Sequence, residues 1–175
     1  MEYFELSQER AVENPIEVMN LDRNIYTYQM KEKEYEKLET LKVAYYSGRE
    51  YEEVCDILTE PTFLISDKIK RLFSLYDKSI SFKAIQVFST APENKRAPLY
   101  WVAKFEMIEC LHESSKKYTN GTIEELVLER KKIGEKQIFR VTPLLEYKVI
   151  ISLPVAESLL RRRFYGIGLK RVKVI

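Results

Sequence analysis

The chain is short of the residues that most catalytic and metal-binding chemistry needs. It has one histidine, His112, two cysteines, Cys55 and Cys110, and 5 glycines among 175 residues. A single histidine excludes a histidine-rich metal site, and there is no CxxC or HxxxH spacing to hold zinc. A Ser-His-Asp or Cys-His arrangement would have to pass through His112, whose setting two residues after Cys110 is ordinary. Two cysteines are too few for a disulfide framework and read as small buried hydrophobes of a reduced, cytoplasmic protein. The glycines form no phosphate cradle: Gly166 and Gly168 follow a helix and enter a strand, the reverse of the dinucleotide fingerprint. No apolar run reaches the roughly 18 residues of a membrane span. The opening MEYFELSQER carries acids where a secretory signal carries bases. Acid pairs such as Glu52-Glu53 and Glu124-Glu125 are neighbours that point apart, so they make weak metal candidates.

What is abundant is aromatic surface and unevenly placed charge. Twelve tyrosines, 8 phenylalanines and 1 tryptophan suit sheet faces and binding surfaces. Net charge is only +2, yet residues 1–60 hold 15 acids and 7 bases, and residues 61–175 hold 12 acids and 22 bases. The last sixteen residues contain Arg161, Arg162, Arg163, Lys170, Arg171 and Lys173 and no acid. Such lopsidedness marks either a charged partner or two regions that neutralise each other.

One pattern occurs twice. FLISDKIKRLFSLYDKSISFKAIQVF at 63–88 and VIISLPVAESLLRRRFYGIGLKRVKVI at 149–175 both read strand, helix, strand. Ile65-Ser66 aligns with Ile151-Ser152 at an offset of 86, and Phe82-Lys83 with Leu169-Lys170 at 87. Neither unit would bury its apolar face alone. Ser66 is a natural N-cap, and Ile69, Leu72, Phe73 and Tyr76 form one helical face. In both closing strands the apolar parity shifts midway, which predicts a β-bulge, or a strand entered twice, at Lys83-Ala84 and at Lys170-Arg171. Pro154 is placed where a helix start tolerates it.

Elsewhere the spacing predicts a short strand at Tyr3–Leu6, irregular chain over 7–32, and a helix over 31–41. Val43–Tyr46 reads as a strand, and Tyr51, Val54, Ile57 and Leu58 recur at helical spacing. A strand follows over Leu99–Met107, antiparallel to its predecessor, then a loop over 112–121 and a strand at Ile138–Val141. Residues 124–130 fit a strand or, through Thr122 and Glu125, a capped helix. The expected fold class is α+β: a mixed, largely antiparallel sheet with two repeated strand-helix-strand units. The expected division is an acidic region, 1–60, and a repeat-containing domain, 61–175.

Phe63–Lys68, Tyr100-Trp101-Val102, Ile108–Leu111, Leu126–Leu128 leading to Lys131–Gly134, Ile138–Arg140 and Gly166–Lys170 occur in a particular order. That order resembles the bacterial immunity proteins of polymorphic-toxin systems, a group long catalogued only as a domain of unknown function. The resemblance covers about residues 61–175; Glu109 stands where the family tends to have Asp, and the strand reading of 124–130 leans on it. It implies a non-enzymatic protein that binds and neutralises a cognate toxin, with no catalytic residue, cofactor or metal. No toxin-contacting residue is carried over by motif. Because many toxin nucleases are basic, the acids Glu32, Glu34, Glu36, Glu50, Glu52 and Glu53 are the candidate partner-binding residues. Two other readings stand beside this one: nucleic-acid association through the basic C-terminal segment, which the near-neutral net charge disfavours, and an enzyme built on carboxylates. The sequence leaves the oligomeric state open.

Overall fold

The computed structural model describes residues 1–26, 30 and 32–175. The parts of the expected irregular stretch and helix that fall on 27–29 and 31 lie outside the described residues. The fold is α+β, with mixed, mostly antiparallel sheets and four helices among the described residues. None of those helices is long and apolar enough to cross a membrane.

In chain order the elements are β1 (Tyr3–Gln8), α1 (Glu32–Glu36), β2 (Leu41–Tyr46), β3 (Ile57–Leu58), β4 (Leu64–Ser66), α2 (Asp67–Tyr76), β5 (Ser81–Ser89) and β6 (Leu99–Lys104). There follow β7 (Met107–Ile108), β8 (Lys116–Lys117), β9 (Ile123–Glu125), β10 (Val127–Leu128), α3 (Arg130–Ile133), β11 (Ile138–Val141), β12 (Val149–Ser152), α4 (Leu153–Leu160) and β13 (Ile167–Val174). They divide into two compact units, and the division does not fall near residue 60. Unit 1 is 1–6, 105–163 and 169–175; unit 2 is 7–104 and 164–168. The charge asymmetry along the sequence largely disappears in this division. Unit 1 holds 11 acids and 14 bases, unit 2 holds 16 acids and 15 bases.

Unit 2 is built on a five-stranded sheet in the order β2-β5-β6-β4-β3, and unit 1 on a six-stranded sheet in the order β10-β13-β1-β12-β11-β7. The two stretches that look alike in sequence occupy matching places in these separate sheets. In unit 2, β4 and β5 are joined by α2 and separated by β6; β3 flanks β4 antiparallel and β2 flanks β5 parallel. In unit 1, β12 and β13 are joined by α4 and separated by β1; β11 flanks β12 antiparallel and β10 flanks β13 parallel. The strand that completes the pattern comes after β5 in one case and from residues 3–8 in the other. Each sheet packs on its own core. In unit 1 Tyr3, Cys110, Phe139, Ile150 and Val172 cluster, with Tyr3 and Phe139 edge to face at 5.8 Å. In unit 2 Tyr35, Leu38, Ala44, Tyr46, Ile85, Val87 and Tyr100 do the same.

Local chemistry explains most elements. Ser66 caps α2, its hydroxyl accepting from Ile69 N at 3.4 Å, and Asp67 stands in the first turn. Ser152 heads α4 without a capping bond; its hydroxyl donates to Gln137 Oε1 instead, and Pro154 sits in the first turn.

Several expectations need correction. No bulge interrupts β5 at Lys83-Ala84: its pairing with β6 runs unbroken from Ser81↔Lys104 to Gln86↔Leu99. The parity shift arises because β5 uses both faces. Phe82 meets Trp101 edge to face and lies under Lys70 of α2, whereas Ile85 and Val87 point into the opposite, buried cluster. The helical spacing from Tyr51 to Leu58 is not a helix. Glu52 is held by Ser47 and Arg49, and Ile57-Leu58 is drawn into pairing with β4. Leu99–Met107 is broken, since Lys104 ends β6 and Met107 begins β7 in the other sheet. The loop 112–121 contains β8, paired with β9, and Ile123–Glu125 and Val127–Leu128 are strands, the helix starting only at Arg130. Thr122 donates to Asn120 Oδ1 rather than forming a capping box.

Candidate protein-docking surface

Cys55 and Cys110 are both buried. Burial pushes the thiols of Cys55 and Cys110 up to about 11, so both stay protonated near neutral pH. His112 Nδ1 is 2.8 Å from Ser114 Oγ in an exposed turn. Among the described residues no three His, Cys, Asp or Glu side chains converge as a metal site would require.

The six candidate acids separate into two kinds. Glu32, Glu34 and Glu36 are exposed on α1, because Tyr35 and Leu38 turn inward and leave the acids outside. Lys104 Nζ bridges Glu32 at 2.7 Å and Glu36 at 3.0 Å. Hydrogen bonding to Lys104 holds the Glu32 carboxyl below its usual range and pushes the lysine up. Two carboxylates thus share one cation, and Lys33 of α1 and Lys83, over the Tyr35 ring, add positive charge beside them. Glu50 is exposed in the turn after β2. Glu52 and Glu53 are turned inward: Glu52 accepts from Ser47 Oγ at 2.7 Å and Arg49 N at 2.8 Å, while Glu53 accepts from Asn14 N at 3.4 Å and from the Tyr165 hydroxyl. That last bond, with burial second, pushes the Tyr165 phenol up to about 12.

The basic candidates of the C-terminal stretch do not gather. Arg161 pairs with Glu157 at 3.4 Å, Arg162 donates to Ser158 O and Arg171 pairs with Glu2. Along β13 Lys170 has the opposite parity to Arg171 and Lys173, so they point to opposite faces. A separate groove of about 900 Å³ in unit 1 has His112, Lys117, Lys131 and Lys132 on its walls, and Lys132 is occupied by Glu129 at 2.6 Å.

The most unusual surface is one that sequence patterning did not single out. Register puts Leu41, Val43 and Tyr45 of β2 on the same face as Ala84, Gln86 and Phe88 of β5. Met19 joins them, bridged to Tyr45 by Met19 N to Tyr45 O at 2.7 Å. α2 lies over Phe82 and Trp101 and leaves the outer part of that face open. Leu41 is 55% exposed, Val43 43%, Tyr45 39%, Phe88 42% and Met19 38%. Exposed apolar residues scattered singly need no explanation, but five side by side on one sheet face do. The signal was present in β2 itself. LKVAYY is apolar on both parities, with Ala44 and Tyr46 in the core and Leu41, Val43 and Tyr45 left over.

The other unit provides an internal contrast. At the offset of 87, Ala84 and Gln86 of β5 correspond to Arg171 and Lys173 of β13, which are exposed and charged. The same strand position in a matching sheet order is therefore compatible with charge. The apolar face is not a requirement of the fold.

No family model matches this sequence, and no curated protein matches it either.

Proposed function

We propose that this chain is a non-enzymatic, cytoplasmic immunity protein that binds a cognate bacterial toxin and neutralises it. The reading is carried by the exposed carboxylates Glu32, Glu34 and Glu36 of α1, two of which Lys104 bridges. Glu50 adds a fourth exposed acid from the same unit. Such a surface accelerates capture of a basic partner, since opposite charge raises the association rate well above its neutral value. The order of motifs shared with immunity proteins points the same way, and nothing in the reading calls for an active site. Glu52 and Glu53 leave the contact set because Glu52 already holds Ser47 and Arg49 in its turn, and Glu53 accepts from Asn14 N and the Tyr165 hydroxyl.

The decisive experiment is affinity purification from the native bacterium, followed by co-expression of the captured protein with this chain. Rescue of growth supports neutralisation; continued growth arrest with a stable complex refutes it. Reversing Glu32, Glu34, Glu36 and Glu50 to lysine should then slow association roughly tenfold or more at low salt, with little change in dissociation. An unchanged association rate would remove α1 from the contact.

A further inference from the structure

We propose that the open face of the unit 2 sheet is the contact between two copies of this chain, packed sheet against sheet across a two-fold axis. Among the described residues, every side chain that register assigns to this face of β2, β5 and β6 is uncharged: Leu41, Val43 and Tyr45, then Phe82, Ala84, Gln86 and Phe88, then Leu99, Trp101 and Ala103. In a two-fold contact the same patch meets itself, so each charge near the axis faces its own sign. A charged sheet face is barred from such a contact; on this one the strands contribute no charge, and Lys70 of α2 lies over Phe82 and Trp101, on the covered part. Gln86, the most polar member, has its amide nitrogen bound to Ala97 O at 2.9 Å and Pro98 O at 3.2 Å. The tryptophan nitrogen is likewise taken, Nε1 donating to Asp67 Oδ1 at 3.1 Å. Covering these groups leaves no lost donor behind.

The exposed area also fits a dimer contact. The five exposed side chains present about 400 Å² of surface, taking large side chains at roughly 150–250 Å² each. A standard dimer buries about 800 Å² per partner, with an apolar core and a more polar rim. The patch therefore has the extent of an interface core, and half-buried Leu99 and Gln86 border it. So does the shape. Two long parallel-paired strands, β2 and β5, in register over six residue pairs, are a surface that another sheet covers at the ordinary spacing of about 10 Å. A charged partner such as a basic toxin has nothing to pair with here. The acids that suit it stand on α1, packed through Tyr35 and Leu38 against the opposite face, with Ile85 and Val87.

Sedimentation velocity over concentrations from about 1 to 200 µM tests this, since a dimer with micromolar Kd dominates at the upper end. The mass should rise from 20.8 kDa toward twice that value. Tyr45→Lys with Phe88→Lys should hold the chain at the monomer mass, as should Tyr45→Glu with Phe88→Glu. Mixing the two variants should restore the dimer, because unlike charges then meet across the axis. That restoration separates a lost contact from a lost fold. A wild-type mass of 20.8 kDa throughout overturns the proposal, and so does a dimer that the lysine variant leaves intact. Loss of toxin protection in the lysine variant of a monomeric wild type would assign the face to the toxin instead.

Discussion

Asp56 is a buried carboxylate with both oxygens occupied: Ser66 Oγ donates to Oδ1 at 2.6 Å and Tyr165 N donates to Oδ2 at 2.7 Å. Its own N–H donates to Tyr165 O at 2.8 Å, so one residue ties the segment 164–168 to β4 within unit 2. Nothing in the sequence distinguished it from 26 other acids, because burial of a charge is visible only once its donors are placed. Asp56→Ala leaves two donors without an acceptor and should cost about 2–4 kcal/mol, read by urea unfolding. A loss below about 1 kcal/mol would show that water replaces the carboxylate. The cysteines behave as expected for small core residues. Both should be silent to a thiol reagent near pH 8, well below their raised values, and both should react once the chain is denatured. Rapid reaction of either in the native protein would contradict its burial.

At the level of single elements, what was legible depended on whether one interaction or several decided the outcome. α2 and α4 were readable because a serine, a first turn and a stripe of apolar residues agree locally. Ser66→Ala should cost about 1–2 kcal/mol. In a cycle with Asp56→Ala the two losses should fall short of additivity, since the same hydrogen bond is removed twice. Full additivity would mean that the cap alone matters. The stretch from Tyr51 to Leu58 misled for the opposite reason. Its helical spacing was real, but carboxylate-backbone bonds in the turn and pairing to β4 outweighed it. β5 showed a genuine parity shift whose cause, two covered faces, required knowing that α2 lies on one side and Tyr35 and Leu38 on the other. The acids of α1 were legible as a surface, while Glu52 and Glu53 were indistinguishable from them until the turn was seen.

On the scale of the whole molecule, the fold class was readable and the division of the chain was not. Composition shifts suggested a boundary near residue 60, whereas each unit draws on distant stretches of sequence, and regrouping the charges changes halves of −8 and +10 into units of −1 and +3. The docking surfaces separate at this scale as well. The reversed-charge variant of α1 should alter toxin capture without changing mass, and the lysine variant of Tyr45 and Phe88 should alter mass without changing toxin capture. If either variant changes both, the two surfaces are not independent.

The place of β1 bears on how the protein is made. Its partner β12 lies more than 140 residues downstream, so during translation this strand leaves the ribosome long before anything exists for it to pair with. Unit 2 waits too, because Gly166 O receives Glu9 N and Asp56 holds Tyr165. The six-stranded sheet cannot close, and the unit 2 sheet, whose strands lie within 41–104, lacks its contacts with 164–168 until those residues have emerged, which favours late closure over domain-by-domain maturation. A nascent chain stalled near residue 104 should therefore be protease-sensitive even though most of one unit has been synthesised.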